Sequence, residues 1–299
     1  MNVSEKEINL FLQHKSAMMA LAYRMLGSVS ESEEIVQDVY IKWMSVDSES
    51  IKNPKAWLLK VCSHLAIDLL KKSYKKREEY PGLWLPEPVV DDFGAWVEDS
   101  SLNNESLSTA FLLILENLKP IERAVYLLHD IFDYSFKDVA LMVDKSESHC
   151  RKIGERARKF IQNNKPRFDA PSKGDVESIQ RFFSKVEGGE LSEVRALFCD
   201  DPEFWSDGGG KIVAVPKILV DPDQISKFFI GLSKKRKNKD IKYKSEIVTI
   251  NGRAGIILSR QDEDYCWRLE TIFSFEFISG KVSRIFAVRN PDKFSLFNR

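Results

Sequence analysis

The stretch SFKDVALMVDKSESHCRKIGERARKFI, residues 135–161, predicts two helices separated by a short turn. In the second segment, apolar and small side chains recur at helical spacing, and we expect them to face a core. They are Cys150, Ile153, Ala157 and Phe160. Only about three residues, DKS, separate the two segments, and this spacing is typical of a helix-turn-helix.

The opposite face of the second helix is polar and basic. Its expected outward side chains near the N-terminal half are Ser148, His149, Arg151, Lys152, Glu155 and Arg156. In a helix-turn-helix this part of the second helix meets the base edges of DNA. Arg151 and Lys152 are the candidates for base or phosphate contacts, because arginine reads guanine in the major groove through paired hydrogen bonds. The alternative is an ordinary basic surface helix of a bundle.

Charge is segregated along the chain although the total is balanced. The 299 residues carry 45 Lys and Arg against 45 Asp and Glu, with 43% hydrophobic and 30% charged residues. These values are ordinary for a soluble globular protein of two or three domains. In KKSYKKR, residues 71–77, five of seven residues are basic, and residues 145–167 hold eight bases. Between them, residues 78–108 hold eight carboxylates and no Lys or Arg. This pattern favours separate elements that meet different partners.

Several classes of protein are disfavoured. The apolar runs are far shorter than the roughly 20 residues that span a bilayer. The first residues lack a basic segment followed by an apolar one, so we expect neither a membrane span nor a secretory signal. The four cysteines are dispersed without CxxC spacing, which predicts reduced thiols in a cytoplasmic protein. We expect no cofactor and, without a His or Cys cluster, no metal.

Residues 1–79 predict a first helical domain. Ser30 and Glu33 form a capping-box pattern at the start of one helix. Asn53 is placed to cap the next helix, with Pro54 at its first position. The side chains expected to line one face of that helix are Trp57, Val61, Leu65 and Leu69.

The rest of the chain predicts a linker and two further domains. An acidic linker with three prolines and two tryptophans spans residues 80–104. The helix-turn-helix domain follows at residues 105–166. Over residues 174–299, helices collect ahead of a meandering set of strands, which is typical of an α+β domain. The Asn251-Gly252 pair predicts a hairpin turn in that sheet.

Three glycines interrupt the C-terminal domain in EFWSDGGGKIVAV, residues 203–215. Asp207 precedes Gly208, Gly209 and Gly210 between two runs with the pattern of strands. A phosphate cradle is not expected, because a P-loop needs GxxxxGK[ST] opening a helix. The remaining interpretations are a docking hairpin whose glycines allow close backbone approach, a hairpin without a partner, and a turn that presents Asp207 as a general base. All four histidines precede this domain, which weakens the catalytic interpretation.

Several quoted segments, taken in order, resemble a known family. ALAYRMLGSVSESEEIVQDVYIKW, NPKAWLLKVCSHLAIDLLKK and the helix-turn-helix resemble regions 2 and 4 of extracytoplasmic-function sigma factors of bacterial RNA polymerase. YPGLWLPEP, SDGGGK and RNPDKF resemble the subgroup with a SnoaL-like C-terminal domain. The resemblance implies a multi-domain chain: two all-α sigma domains, region 2 at residues 1–79 and region 4 at 105–166, and an α+β SnoaL-like domain, a cystatin-like roll, at 174–299.

The resemblance also implies partners and residue roles. The partners are core RNA polymerase, through its β′ clamp helices and β flap, and promoter DNA. The residues expected to contact polymerase are Glu34, Gln37 and Asp38. Those expected at the opened −10 element, where phosphate attraction supplies affinity, are Asn53, Lys60, His64, Lys71, Lys72 and Lys75. Those expected at the −35 element are Ser148, His149, Arg151, Lys152 and Arg156.

The last implication of the resemblance is that the C-terminal domain regulates sigma activity in cis by docking. The residues expected at the docking contact are Trp84, Leu85, Pro86, Asp207, Gly208, Gly209, Gly210, Asn290, Pro291 and Asp292. Two alternatives stay open. One is a helix-turn-helix regulator whose C-terminal domain senses a small-molecule ligand, and the other is a SnoaL-like enzyme domain fused to a DNA-binding module, although no acid/base pair presents itself.

Overall fold

The computed structural model describes residues 5–47, 50–90, 104–164, 169–238 and 241–297. The chain divides into two compact units. The first contains residues 1–79, 91–107 and 111–165, and the second contains residues 80–90, 108–110 and 166–299. The expected linker is therefore divided: residues 80–90 belong to the second unit, and residues 91–103 lie outside the described residues.

The first unit is helical throughout its described residues. Its helices are α1 (Glu5–Leu26), α2 (Val29–Met44), α3 (Pro54–Glu78), α4 (Thr109–Leu115, from residue 111 onward in this unit), α5 (Pro120–Tyr126), α6 (Phe136–Met142) and α7 (Glu147–Asn164). A 3₁₀ turn at Asn104–Leu107 precedes α4, and a π-helical turn at Leu127–Ile131 continues α5.

The start of α2 lies earlier than the sequence pattern indicated. Gly27 ends α1 with a left-handed φ of 67° and donates its backbone N–H to the Tyr23 carbonyl at 2.7 Å. The next helix therefore starts at once, and its N-cap is Ser28, whose side chain accepts from the Glu31 backbone N–H at 3.3 Å. The capping box expected at Ser30 and Glu33 is wrong by two residues.

The cap of α3 follows the prediction, but its buried face does not. The Asn53 side chain accepts from the Ala56 backbone N–H at 3.1 Å. Among the described residues of this helix, the apolar side chains that are fully or almost fully buried are Leu58, Leu59, Cys62, Ala66, Ile67 and Leu70. The expected stripe at Trp57, Val61, Leu65 and Leu69 is only half-buried. The reason is that α3 packs against α1, α2, α5 and α6, so that its apolar residues cover more than one face.

The helix-turn-helix is confirmed as α6 and α7, joined by residues 143–146. The two helices approach closely at Gly154, where an added Cβ would lie 3.0 Å from the Phe136 ring. The buried stripe of α7 consists of Cys150, Ile153, Gly154, Ala157 and Ile161. Ile161 thus takes the place expected for Phe160, which is half-buried, because position 161 is one helical turn beyond Ala157.

The second unit has the expected α+β architecture. Its helices are α8 (Lys173–Gly188), α9 (Leu191–Arg195) and α10 (Pro222–Asn238), and its strands are β1 (Phe198–Asp207), β2 (Tyr243–Ile250), β3 (Arg253–Gln261), β4 (Trp267–Ile278) and β5 (Lys281–Val288). The sheet order is β1-β5-β4-β3-β2. Strand β1 is parallel to β5, and the other neighbours are antiparallel.

The core of the second unit is rich in phenylalanine. Phe182 of α8 is fully buried and packs edge-to-face against Phe198, Phe229 and Phe275. Such aromatic pairs add to the free energy of burial and fix side-chain orientation. The turn between β2 and β3 is the expected Asn251-Gly252 pair, with φ angles of 51° and 72°. None of the described helices has the length and apolar character needed to cross a membrane.

The glycine run after β1 is not the turn of a β-hairpin. The following IVAV segment forms no strand, and Val213 is 87% exposed. Strand β1 instead pairs with β5, whose residues lie about 80 positions later in the chain. On the other edge of β1, the described residues form one bridge, between Phe204 and Leu219. The hairpin prediction is therefore wrong, because the alternating pattern of a short segment does not identify its pairing partner.

Candidate functional site

The carboxylate of Asp207 lies where the ends of two parallel strands meet. Asp207 ends β1 in register with Val288 of β5, and its carbonyl accepts from the Arg289 backbone N–H at 2.7 Å. The residues that follow β5 are thereby held beside Asp207. Its side chain is fully buried, so the carboxylate needs hydrogen-bond donors from the protein itself.

Four donors surround this carboxylate. Oδ1 accepts from the Tyr80 hydroxyl at 2.6 Å and from the Gly209 backbone N–H at 3.0 Å. Oδ2 accepts from the Leu85 backbone N–H at 2.9 Å and from the Lys293 ammonium at 2.6 Å. Asn290 completes the group by donating its side-chain amide to the Tyr80 hydroxyl at 2.9 Å. We call Tyr80, Leu85, Asp207, Asn290 and Lys293 the Asp207 cluster.

The aromatic residues of the linker enclose the Lys293 ammonium. Its Nζ lies 4.6 Å from the Trp84 ring centroid and 5.2 Å from that of Tyr80, and it also donates to the Leu85 carbonyl. Burial is the main cause that raises the pKa of Tyr80 above its ordinary value, and the hydrogen bond to Asp207 raises this pKa further. The phenol is therefore protonated at neutral pH and acts as a donor to Asp207.

The glycine run allows this close packing. Gly209 and Gly210 have φ angles of 60° and 70°, in the left-handed region that favours glycine. A Cβ on Gly209 would lie 2.4 Å from Asn290 Cγ, and one on Gly210 would lie 2.5 Å from Pro81 Cγ. A Cβ on Gly208 would come within 2.0 Å of the Ile212 carbonyl oxygen. The run thus lets residues 80–85 and residues 290–293 lie against one another.

A second contact holds the end of the described linker. Val89 donates its backbone N–H to the Asn251 side-chain oxygen at 3.0 Å, and its carbonyl accepts from the Asn251 backbone N–H at 2.8 Å. Val90 forms an antiparallel bridge with Ile250. Asn251 therefore forms the turn and also binds the linker at Val89, and the turn pattern alone does not predict the second contact.

The structure brings most of the expected docking residues together. Trp84, Leu85, Asp207, the three glycines and Asn290 all lie at the Asp207 cluster, and Pro86 is buried in the same segment. Pro291 is exposed, and Asp292 pairs with Lys211 at 2.6 Å. Tyr80 and Lys293 are site residues that the sequence patterns do not single out, although both belong to the segments YPGLWLPEP and RNPDKF that carry the resemblance.

In the first unit, two residues expected at the −10 element contact the helix-turn-helix. Lys60 Nζ lies 2.6 Å from Asp144 Oδ1, and His64 Nε2 lies 3.4 Å from Asp144 Oδ2. Asp144 belongs to the turn between α6 and α7 and has a left-handed φ of 51°. The three side chains are at least one-third exposed, and ion pairs of this kind contribute at most about 1 kcal/mol.

The other residues expected at the −10 element are spread along α3. Asn53 caps the helix, Lys71 pairs with Asp68 at 2.9 Å, and Lys72 is exposed. The side chain of Lys75 lies outside the described residues.

The outward face of α7 is exposed as expected. Arg151 pairs with Glu147 at 2.6 Å and lies over the Phe136 ring at 5.1 Å, while Arg156 lies 3.6 Å from Glu122. The remaining expected residues, Ser148, His149, Lys152 and Glu155, are also exposed.

The residues expected to contact polymerase lie on the outer side of α2. Glu34, Gln37 and Asp38 are all exposed, while Val36 and Val39 beside them are buried. Within the described residues, no group of three or more His, Cys, Asp or Glu side chains could hold a metal ion.

Comparison with known proteins identifies the two helical regions. The model for Sigma-70 region 2 matches residues 10–76, and the model for Sigma-70, region 4 matches residues 108–161. The ECF RNA polymerase sigma factor SigJ of Mycobacterium tuberculosis is 30% identical over 293 residues, which cover 97% of this chain and 93% of SigJ. Probable ECF RNA polymerase sigma factor SigI of the same organism is 28% identical over 163 residues, covering 51% of this chain and 53% of SigI.

The chain therefore belongs to the ECF RNA polymerase sigma factors. It is an alternative sigma factor that binds core RNA polymerase and directs promoter-specific initiation of transcription. Its similarity to SigJ includes the second unit: the crystal structure of Mycobacterium tuberculosis SigJ matches with a TM-score of 0.73 at 28% identity, covering 97% of this chain and 98% of that chain. The family is one of transcription factors and not of enzymes.

The close approach at Gly209 is testable against a matched glycine. Gly280 has a similar φ of 71°, but a Cβ there would have no atom within 4 Å. Gly280→Ala should cost about 1 kcal/mol of stability through backbone strain. Gly209→Ala should cost about 2 kcal/mol more, because it also displaces Asn290 from Tyr80. Hydrogen exchange of the β1 and β5 amides measures the free energy of opening in each of the two variants. Equal costs in the two variants would contradict the packing described for Gly209.

Proposed function

We propose that the second unit regulates this sigma factor in cis by binding the linker through the Asp207 cluster. The observation that carries the proposal is the pair of hydrogen bonds from Tyr80 and Leu85 to the fully buried Asp207. Tyr80 follows the last residue of α3, Glu78, by two positions. Holding Tyr80 therefore restricts the connection between sigma regions 2 and 4.

The linker has two competing destinations in this proposal. Residues 78–108 hold eight carboxylates and no Lys or Arg, and the resemblance to sigma factors implies that such a segment threads the basic active-site channel of polymerase. Clusters of one sign of charge raise the local concentration of an oppositely charged partner. When residues 80–90 are bound to the second unit, they are withheld from that channel.

The magnitudes of the contacts favour the linker as the point of control. The linker donates two hydrogen bonds, from Tyr80 and Leu85, to the buried Asp207 carboxylate, and a hydrogen bond to a charged group contributes about 1.5–3 kcal/mol. The Lys60–Asp144 pair is exposed and contributes at most about 1 kcal/mol. The residues proposed to contact the −10 element, Lys60 and His64, are thus held weakly and are readily released to phosphates.

The proposed contacts with polymerase and promoter follow from the exposed faces. Glu34, Gln37 and Asp38 on α2 contact the β′ clamp helices, and region 4 contacts the β flap. On α7, Arg151 and Lys152 enter the major groove at the −35 element. The exposed Arg151–Glu147 pair exchanges its carboxylate for DNA at little cost.

The geometry of Asp207 does not suit the enzyme alternative. Its two carboxylate oxygens receive four hydrogen bonds from the chain itself and are withdrawn from solvent. A general base must reach a substrate proton, so this carboxylate is not available for that role. Ligand sensing by the second unit is a second candidate function, favoured by a cavity that lies apart from Asp207.

Tyr80→Phe tests the control of the linker. The change keeps the ring and removes the hydroxyl that donates to Asp207, a hydrogen bond to a charged group worth about 1.5–3 kcal/mol. We expect run-off transcription at limiting core polymerase to rise by about tenfold, because the linker is released more readily. The matched control is Tyr265→Phe, since Tyr265 is 79% exposed.

A rise in transcription with both Tyr80→Phe and Tyr265→Phe would show that the effect does not come from the hydrogen bond to Asp207. Unchanged or lower transcription with Tyr80→Phe alone, at unchanged core binding, would contradict restraint of the linker by the second unit.

Arg151→Ala and Lys152→Ala test the proposed −35 contacts. Each should lower promoter use while core binding stays intact, because both side chains lie on the exposed face of α7. A base contact should cost about 1–3 kcal/mol and relax the preference at one base pair, whereas a phosphate contact should weaken all promoters alike. Lys159→Ala, an exposed change near the other end of α7, is the control. Loss of polymerase binding in either test variant would show that the helix has a different role.

A further inference from the structure

A cavity of about 960 Å³ lies in the second unit, apart from Asp207. Helix α10, the sheet and the segment after the glycine run surround it. Much of its lining is apolar, contributed by Phe204, Val213, Val215, Leu219, Phe228 and Phe273. Its volume is within the range of cavities that hold small organic molecules.

One side of this cavity carries a cluster of guanidinium groups around a single carboxylate. Glu270 lies 3.4 Å from Arg289 Nη2, 3.7 Å from Arg236 Nη2 and 3.9 Å from Arg260 Nε. Glu270 is the one acidic residue among the described residues that line the cavity. Three positive groups against one negative group leave an excess of two positive charges.

Two of the arginines are largely withdrawn from water. The side chains of Arg236 and Arg289 are 20% and 26% exposed. Arg236 stacks on Tyr243, with Cζ 4.5 Å from the ring centroid, and its buried Nε has no hydrogen-bond partner among the described residues. Burial lowers the pKa of Arg289 even though Glu270 opposes the effect. Incompletely compensated buried charge is costly unless an anion joins it.

We propose that this cavity binds an organic anion, a molecule with a carboxylate, sulfonate or phosphate group on an apolar body. The acidic group meets Arg236, Arg260 and Arg289, whose planar donors suit such groups. The apolar body lies against Phe204 and Phe228. An apolar molecule of the same shape without the acidic group loses the contacts with the guanidinium groups and binds less tightly.

Arg289 links this cavity to the Asp207 cluster. Its side chain contacts Glu270 and donates to the Val213 carbonyl, while its backbone N–H donates to the Asp207 carbonyl. The next residue, Asn290, donates to Tyr80. An anion that holds Arg289 therefore also stabilises the position of the cluster. This regulatory consequence rests on the function proposed above, whereas binding itself is measured without polymerase.

Fluorescence titration of the full chain with two matched probes tests the site. Anilinonaphthalene sulfonate carries an anionic group, and phenylnaphthylamine has the same rings without it. The sulfonate should bind about tenfold more tightly, the difference expected from one charge-assisted hydrogen bond. Equal affinities, or tighter binding of the neutral probe, would overturn the proposal.

The variant Arg236→Met tests whether the anionic group of the probe binds in this cavity. The variant should bind the sulfonate about tenfold more weakly while its affinity for phenylnaphthylamine stays unchanged, which also shows that the cavity is intact. Arg260→Met provides the same test at a half-exposed position if Arg236→Met fails to fold. Arg181→Met, an exposed change on α8 outside the cavity lining, is the control and should leave both affinities unchanged. Loss of sulfonate binding in the control alone, or no loss in the cavity variants, would show that the sulfonate binds outside this cavity and would overturn the proposal.

Hydrogen exchange tests the link through Arg289. At a sulfonate concentration ten times its dissociation constant, openings that destroy the site should slow by about elevenfold. The Leu85 amide, which donates to Asp207, should show this slowing, and the Val89 amide, which donates to Asn251, should show less. Equal effects at the two amides would overturn the link, while the fluorescence result would decide the binding site separately.

Discussion

The parallel pairing of β1 with β5 places a carboxylate where three separate parts of the chain meet. Asp207 ends β1, Lys293 follows β5, and Tyr80 follows the last helix of sigma region 2. Because Asp207 is fully buried, its charge is tolerated only with these donors present. The glycines after Asp207 leave room for the linker to approach this carboxylate. The aromatic rings of the linker then pack around Lys293. The proposed control of the linker therefore depends on this buried carboxylate and its hydrogen bonds.

The strength of the polar contacts differs between the inside and the outside of the molecule. The ion pairs of the proposed DNA-contacting residues, Lys60–Asp144 and Arg151–Glu147, are exposed and contribute little to stability. In the proposed complex, such residues pass from a protein carboxylate to a DNA phosphate without a large loss of free energy. The Asp207–Lys293 pair is shielded from water and salt, so that its contribution persists under conditions that weaken the exposed pairs. The same chemical groups thus form both kinds of contact. Exposed ion pairs suit a surface that exchanges partners, and a buried ion pair suits an internal contact that persists.

Sequence patterns predicted local structure well and long-range pairing poorly. The helix-turn-helix, the cap at Asn53 and the turn at Asn251 depend on neighbouring residues, and all three follow their patterns. The docking residues at Asp207 are expected only from a resemblance, because spacing alone does not bring residue 85 to residue 207. The IVAV segment has the pattern of a strand but forms none, and the partner of β1 lies about 80 residues away. Arg236 lies in a basic run, KKRKNK, and runs of like charge are usually solvated. In the structure α10 continues to Asn238, and Arg236 lies one helical turn after Leu232, so that both side chains line the cavity.

The order of residues after β5 determines what a ligand in the cavity can change. Neighbouring residues of an extended chain point to opposite sides, so that Arg289 reaches the cavity while Asn290 reaches Tyr80. A ligand at ten times its dissociation constant contributes about 1.4 kcal/mol. This is less than the roughly 3–5 kcal/mol needed to break the buried Asp207–Lys293 pair, but comparable to one hydrogen bond from the linker. A ligand shifts an equilibrium only by its difference in affinity for the two states, so we expect the ion pair to remain formed in both states of the proposed regulation. In the proposed regulation, we expect the contacts of Tyr80 and Leu85 to change, because these residues belong to the linker and not to the domain that binds it.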